Sequence, residues 1–417
     1  MRSQPNDRVP PKLMRKIDLT SFQVATSETA RDINRRIVLD MIRTRQPVSR
    51  ADLARLSGLQ RSTISVITEQ LIGEQWITEG AFGYLPRGRK PRFLHLNVER
   101  AGIIGINVRP TGTTIALADL NARFIAQESF PTAAEPQAFL KDLCQRVSDF
   151  IKLRPQIFYE GIGVSLPGRV DQLSQRLVFA PNLGWRDVDL KKPLESATGL
   201  LVEIENAANA CALAEIWFSQ RTDGMRDLIA VTVSEGIGTG IVANGQLVNG
   251  STGVAGEFGH VSINEDGPPC KCGNHGCWEV YASNSATIRA YMQATSSSRA
   301  NKASLAQHSN EPTFEDILRL AEQGDVRAAE VLDRMAHYLG VGMSMLITGI
   351  APSLIVLVGE VTRAWERVGP IVKKVIAERS PTAPMTRIVP AEDSAQPRLR
   401  GTIALVLQKH FGAPSTA

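Results

Sequence analysis

The sequence predicts an α/β chain in two unequal parts, a small winged helix-turn-helix followed by a much larger α/β region. Three observations predict it. Residues 29–98 combine helical periodicity, a turn glycine and a basic loop between two short apolar runs. From residue 99 onward, short β-rich runs alternate with helical stretches. Charge divides at the same place: residues 1–98 hold 17 Lys+Arg against 9 Asp+Glu, net +8, and the remaining 30 against 33, net −3. A polyanion partner is therefore expected at the N-terminal part. The 417 residues, 43% hydrophobic and 21% charged, suffice for two or three cores and exclude global disorder.

Residues 1–28 are polar and proline-bearing, so a mobile tail is expected. Arg2, Asp7, Arg8, Lys12, Arg15 and Lys16 interrupt any apolar core of a signal peptide, and the expected compartment is the cytoplasm. Ile33, Ile37, Val38, Met41 and Ile42 fall at helical spacing, and Pro47 ends that helix. Ser49 caps a short helix from Arg50 to Leu56, and Ser57-Gly58-Leu59 makes a turn. The next helix, about Gln60 to Glu74, turns Ile64, Ile67, Leu71 and Ile72 inward and leaves Arg61, Ser62, Thr63, Ser65 and Thr68 outward. Gln60, Arg61, Ser62, Thr63 and Ser65 are accordingly the candidate DNA-reading residues. Trp76-Ile77 and Phe93 to Leu96 read as hairpin strands, and in the loop between them Arg89 and Lys90 are placed to enter a minor groove or track phosphates.

Beyond residue 99, strands are expected at Ile103–Val108, Thr114–Ala118, Gly161–Gly168, Val202–Asn206 and Leu228–Ser234, with a helix from Pro136 to Lys152. Asn244-Gly245 suits a hairpin turn. Ala294 to Glu311 is polar and reads as a surface insertion before helices spanning about Thr313 to Ile350. The apolar run Tyr338 to Gly359 is split by Pro352-Ser353 into a buried helix and the strand Leu354–Val358, so no membrane span is expected. Cys144 and Cys211 have apolar neighbours and read as core.

The densest chemistry lies between Glu257 and Glu279. Cys270, Cys272 and Cys277 fall within eight residues, and His260 or His275 can complete a Cys3His set. Four protein ligands leave no open position for water, so a structural Zn2+ is expected rather than a catalytic one. Clustered cysteines without a secretory signal favour metal over disulfide.

Glu-x-Gly-His followed by Cys-x-Cys-Gly-x-x-Gly-Cys-x-Glu is similar to the signature of the ROK family of repressors, open reading frames and sugar kinases, and the likeness continues over most of the chain. The resemblance implies a two-lobed, actin-like ATPase (ribonuclease H-like) domain over residues 99–417. Lobe 1 would take about 99–203 plus a C-terminal helix at about 398–412, and lobe 2 about 204–397 with the zinc loop. It also implies His260, Cys270, Cys272 and Cys277 as ligands, leaving His275 in the loop, and a sugar pocket lined by Asn206, Glu257, His260 and Glu279. The winged helix at 29–98 matches the regulators of the family. Three departures from its kinases stand out. Their Asp-x-Gly-Gly-Thr phosphate turn reads Asn107-Val-Arg-Pro-Thr here, their catalytic Asp is Ala207, and a glycine pair near the adenine reads Gly359-Glu360. The implied protein is a transcriptional regulator, a repressor with a small sugar effector and no kinase activity. It would act as a homodimer or dimer of dimers on inverted-repeat operator DNA, without a membrane. The alternative is a sugar kinase with an added DNA-binding domain.

Overall fold

The computed structural model describes residues 27–82, 92–219, 225–250, 253–296, 311–380, 386–392 and 395–411. The wing residues Arg89 and Lys90, most of the expected tail and most of the 294–311 insertion lie outside them.

The N-terminal unit runs α1 (Ser27–Arg45), β1 (Val48–Ser49), α2 (Arg50–Ser57), α3 (Arg61–Gly73), β2 (Ile77–Phe82) and β3 (Arg92–Leu96). β3 pairs antiparallel with both β1 and β2. Ser49 caps α2 through a capping box: its hydroxyl accepts from Asp52 N, and the Asp52 carboxylate accepts from Ser49 N. Gly58 takes φ +73, the left-handed turn between α2 and α3 that a side chain would strain. Ile64, Ile67 and Leu71 are buried as expected. Thr68 departs from the expected outward face: it is fully buried, and its hydroxyl accepts from Arg50 Nε at 3.0 Å. One turn beyond Ile64, it belongs to the same inward stripe, and its back-bond to Ile64 O lets a polar side chain occupy it.

The next unit contains β4 (Ala101–Arg109), β5 (Gly112–Ala118), β6 (Phe124–Phe130), α4 (Pro136–Lys152), β7 (Phe158–Leu166), β8 (Arg169–Val170), β9 (Leu177–Ala180), β10 (Trp185–Val188), α5 (Lys191–Thr198) and β11 (Val202–Asn206). Its main sheet has the order β11-β7-β4-β5-β6. A helix, α6 (Ala207–Phe218), then leads to β12 (Leu228–Val233), β13 (Ile237–Ala243) and β14 (Gln246–Leu247). After the cysteine loop come α7 (Glu279–Ala282), α8 (Asn284–Ser296), α9 (Phe314–Glu322), α10 (Val326–Ile350), β15 (Leu354–Val358), α11 (Trp365–Arg379), β16 (Arg387–Pro390) and α12 (Pro397–Phe411). The second main sheet has the order β14-β13-β12-β15-β16. Parallel strands bury both faces, and the wholly buried Leu354–Val358 shows why that apolar run is a strand.

Helix α6 joins the two sheets. A Cβ on Gly240 would lie 2.2 Å from Ala208 O, and one on Gly401 2.0 Å from Ala210 O. Glycine on the partners and alanine along α6 thus let β13 and α12 both approach it closely. The N-terminal unit docks on the other end of α12. Trp76 lies 4.8 Å from the His410 ring and 5.7 Å from Phe411, with the Arg100 guanidinium 4.0 Å above it. Arg43 donates to Trp217 O at 2.5 Å. One apolar cluster accordingly runs from Leu39, Leu53 and Ile64 through Trp76 to Ile403 and Phe411.

Candidate functional site

The loop between β14 and α7 carries the candidate metal centre. Ligand atoms of His260, Cys270, Cys272 and Cys277 all lie within 4.8 Å of one another. Cys272 Sγ is 3.8 Å from Cys277 Sγ, and Cys270 Sγ is 3.6 Å from His260 Nδ1. A tetrahedral zinc with Zn–S of about 2.3 Å and Zn–N of about 2.05 Å requires S···S near about 3.8 Å and S···N near about 3.6 Å, so the donors fit. His275 is exposed and stands outside this cluster. Burial pushes the Cys277 thiol up to about 11 and that of Cys270 higher, so a cation is needed to favour their thiolates. His260 Nε2 faces Glu257 at 3.7 Å, the carboxylate–histidine pairing that orients a metal-bound imidazole. Trp278 anchors the loop: it is fully buried and donates Nε1–H to Tyr338 O at 2.8 Å.

The centre forms one wall of a cleft of about 420 Å³ between the sheets, where Asn206, Ala207, Glu257, His260 and Glu279 come together. Pro181 and Asn182 line it as well. Asn206 ends β11 and caps α6; its Oδ1 accepts from Ala208 N at 2.7 Å and its Nδ2 donates to Gly168 O at 2.6 Å. One amide proton and one lone pair remain for a ligand. Sequence reasoning missed the support behind Asn206. Glu205 is 5% exposed, accepts from Asn206 N at 2.8 Å and from Asn209 Nδ2 at 3.0 Å, and has its pKa raised by burial. In the sequence Glu205 alternates with Glu203 along Val202–Asn206, so no local signal told which of the two carboxylates is buried.

A second cleft, of about 320 Å³, lies beside the first where β4, Gly359 and the start of α12 meet. Arg109 Nη2 spans it, 2.8 Å from Glu360 Oε1 and 3.3 Å from Glu235 Oε1. Glu360 Oε2 accepts from Asn284 Nδ2 at 3.0 Å. Burial works against the Arg109 cation, but the Glu235 and Glu360 charges outweigh it and raise its pKa. Burial likewise opposes the Glu360 anion, and Arg109 outweighs it, leaving Glu360 below its ordinary value.

On the N-terminal unit, Gln60, Arg61 and Ser62 are exposed at the start of α3, and Thr63 and Ser65 are half-buried. Val66, one turn after Ser62, is 52% exposed and extends the outward face with an apolar group that the polar-residue search overlooked.

An α/β chain with two sheets joined across a cleft and a Cys3His loop on its wall has the architecture of the actin-like sugar-kinase class. The chain belongs to the ROK family, whose profile matches residues 103–409. It is 32% identical to the xylose repressor of Bacillus subtilis (strain 168) over 339 residues, 81% of this chain and 84% of that protein. It is 29% identical over 360 residues to the DNA-binding transcriptional dual regulator NagC of Escherichia coli (strain K12), covering 85% and 87%. Among solved structures, a ROK family transcriptional regulator, homolog of the E. coli MLC protein, superposes with a TM-score of 0.78 at 26% identity, covering 92% of this chain and 98% of its own. A ROK family glucokinase from Streptomyces griseus, in complex with glucose and AMPPNP, gives 0.66 at 29% identity; it covers 73% of this chain and 99% of its own.

Proposed function

We propose that this protein is a sugar-responsive transcriptional repressor. Residues 29–98 bind operator DNA, and residues 99–417 bind an effector without phosphorylating it. The observation that carries this reading is the joint occurrence of an exposed α3 face and a cleft without a base, Ala207 standing where the kinases of the family have aspartate. In the double helix, Gln60, Arg61, Ser62, Thr63 and Ser65 would meet base edges in the major groove, Val66 a thymine methyl, and Arg89 and Lys90 the phosphates or minor groove. A homodimer, or a dimer of dimers, would read an inverted repeat with half-sites whole helical turns apart.

In the larger region, His260, Cys270, Cys272 and Cys277 would hold one structural Zn2+, which fixes the wall carrying Glu257 and Glu279. Those carboxylates, with Asn206 and His260, offer the charged acceptors that discriminate sugar hydroxyls. The Arg109–Glu360 pair stands where a nucleotide would need small residues and open amides, which supports loss of the kinase reaction. No described helix is long and apolar enough to cross a membrane, and an operator-binding role places the protein in the cytoplasm.

The test measures operator binding by fluorescence anisotropy across hexoses, pentoses and amino sugars, alongside sugar-dependent ADP release. We expect one sugar class to change operator affinity at least tenfold and no ADP release by either the wild type or Ala207→Asp. A missing general base alone accounts for about 10²- to 10⁴-fold in rate, so slow but sugar-dependent turnover with micromolar ATP affinity would overturn the regulator reading.

A further inference from the structure

Within this reading, the cleft carries one feature that a neutral sugar does not use. Helices α6 and α12 run side by side in the same direction: Gly401 abuts Ala210, Leu405 packs with Leu213, and Phe411 meets Trp217 at 6.1 Å. One turn back along both helices, Arg398 falls alongside Ala207, and both line the effector cleft. Arg398 also borders the second cleft and so stands at the junction of the two.

The other cations of the effector cleft are engaged. Arg186 lies 3.8 Å over the Phe179 ring, and the Arg169 charge favours the Glu257 anion; just outside the cleft, Lys271 reaches Asn182 at 3.4 Å. Arg398 makes no hydrogen bond or ion pair among the described residues. Its charge helps to favour the Glu360 anion, whose two oxygens are already taken by Arg109 and Asn284. An aspartate at position 207 would neutralise Arg398 and repel an anion; alanine does neither. Alanine at 207 thus leaves the Arg398 charge unopposed at this point of the cleft, while Glu257 and Glu279 keep another part of its lining acidic.

We propose that the effector is an anionic sugar, whose hydroxyls face Glu257 and Glu279 and whose phosphate or carboxylate group is received by Arg398 in the space above Ala207. Guanidinium is suited to this, since it can form two parallel charge-assisted bonds to either anion. Arg398 is then the residue that sets effector specificity.

The test is calorimetry on the full-length, zinc-loaded protein with glucose, glucose 6-phosphate, glucuronate, N-acetylglucosamine, N-acetylglucosamine 6-phosphate, xylose and inorganic phosphate. At least one anionic sugar should bind tenfold or more tighter than its neutral parent, with phosphate alone weaker than either. The phosphate and carboxylate arms identify which anion is read. Arg398→Gln should abolish the preference for the anionic form, and Arg398→Lys should restore part of it. Ala207→Asp should reverse the preference, tightening the neutral sugar and weakening the anionic one tenfold. Thermal unfolding and zinc content confirm that each variant is folded. A wild type that binds neutral parents as tightly as anionic forms, or an Arg398→Gln variant that keeps the preference, overturns this inference and leaves the sugar-sensor reading standing. Binding of no sugar in the panel overturns both.

Discussion

The Arg109–Glu360 pair should couple the two sheets measurably, and a double-mutant cycle with Arg109→Met and Glu360→Gln tests it. At 2.8 Å, the gross attraction at an effective dielectric of about 20 is about 6 kcal/mol. Desolvation of both groups opposes that gain, and removing one partner of a buried pair typically costs about 3 to 5 kcal/mol. The side chains retain 26% and 15% exposure, which places Arg109→Met near the lower end, about 3 kcal/mol, even though Glu235 also loses its partner. The coupling energy expected from the cycle is about 1 to 2 kcal/mol. Urea unfolding followed by tryptophan fluorescence reads it, since Trp185 lies buried beside the first sheet and Trp278 beside the second. The pH dependence has a definite sign. The Glu360 pKa lies below its ordinary 4.5 in the folded state, so the contribution is complete at neutral pH and is lost as pH falls from about 4.5 through the depressed value. A coupling below about 0.5 kcal/mol at pH 7 would refute the argument, as would one that persists unchanged in acid.

Two further outcomes follow from the metal loop and the N-terminal unit. Cys277→Ser removes a fully buried donor; structural zinc is worth about 10 to 16 kcal/mol in small peptides, so the variant should purify with well under one zinc per chain and with a destabilised second sheet. Full zinc content in Cys277→Ser, measured by plasma emission, would contradict the ligand set. Arg61→Ala should cost about 1 to 3 kcal/mol of operator binding and relax sequence preference, whereas Lys90→Ala should lower the salt slope by about one with little change in preference. Equal affinity of the wild type for operator and random DNA would count against both.

Local chemistry was legible in the sequence. Cysteine spacing marked the four-donor cluster, the 3.6-residue periodicity located α1 and α3, and Pro352 divided α10 from β15. What the sequence hid depends on long-range placement. Thr68 looked like a surface residue because its type is polar; the back-bond to Ile64 O and the Arg50 guanidinium above α3 together satisfy its buried hydroxyl. Glu235 meets Arg109 across 126 residues of chain, so no window of sequence joins them. In the sequence Arg109 and Glu360 are two separate departures from the kinase pattern; their mutual neutralisation needed the fold. In the order β11-β7-β4-β5-β6 the antiparallel β4-β5-β6 pairings are local, whereas the parallel β4–β7 and β7–β11 pairings join distant segments through crossovers.

The same packing constrains how effector occupancy can reach the DNA-binding unit. Helix α12 spans 15 residues, about 22 Å at 1.5 Å per residue, from Arg398 in the cleft to Phe411 beside Trp76. Its middle is locked to α6 by the Gly401–Ala210 approach, where even a methyl group would collide. The two helices thus pack backbone to backbone there, which leaves little side-chain freedom within that contact to absorb a displacement at the cleft. Contact continuity alone does not transmit a signal, because a ligand shifts an equilibrium only through contacts that differ between two states. The candidate contacts lie on both sides of the cleft: Arg398 and the α6-capping Asn206 sit at the start of the paired helices, while Glu257 and Glu279 belong to the wall that carries the Cys3His cluster. A ligand bridging them would favour one separation of the two sheets, and the Trp76–His410–Phe411 contact would pass a shift of the paired helices to the N-terminal unit.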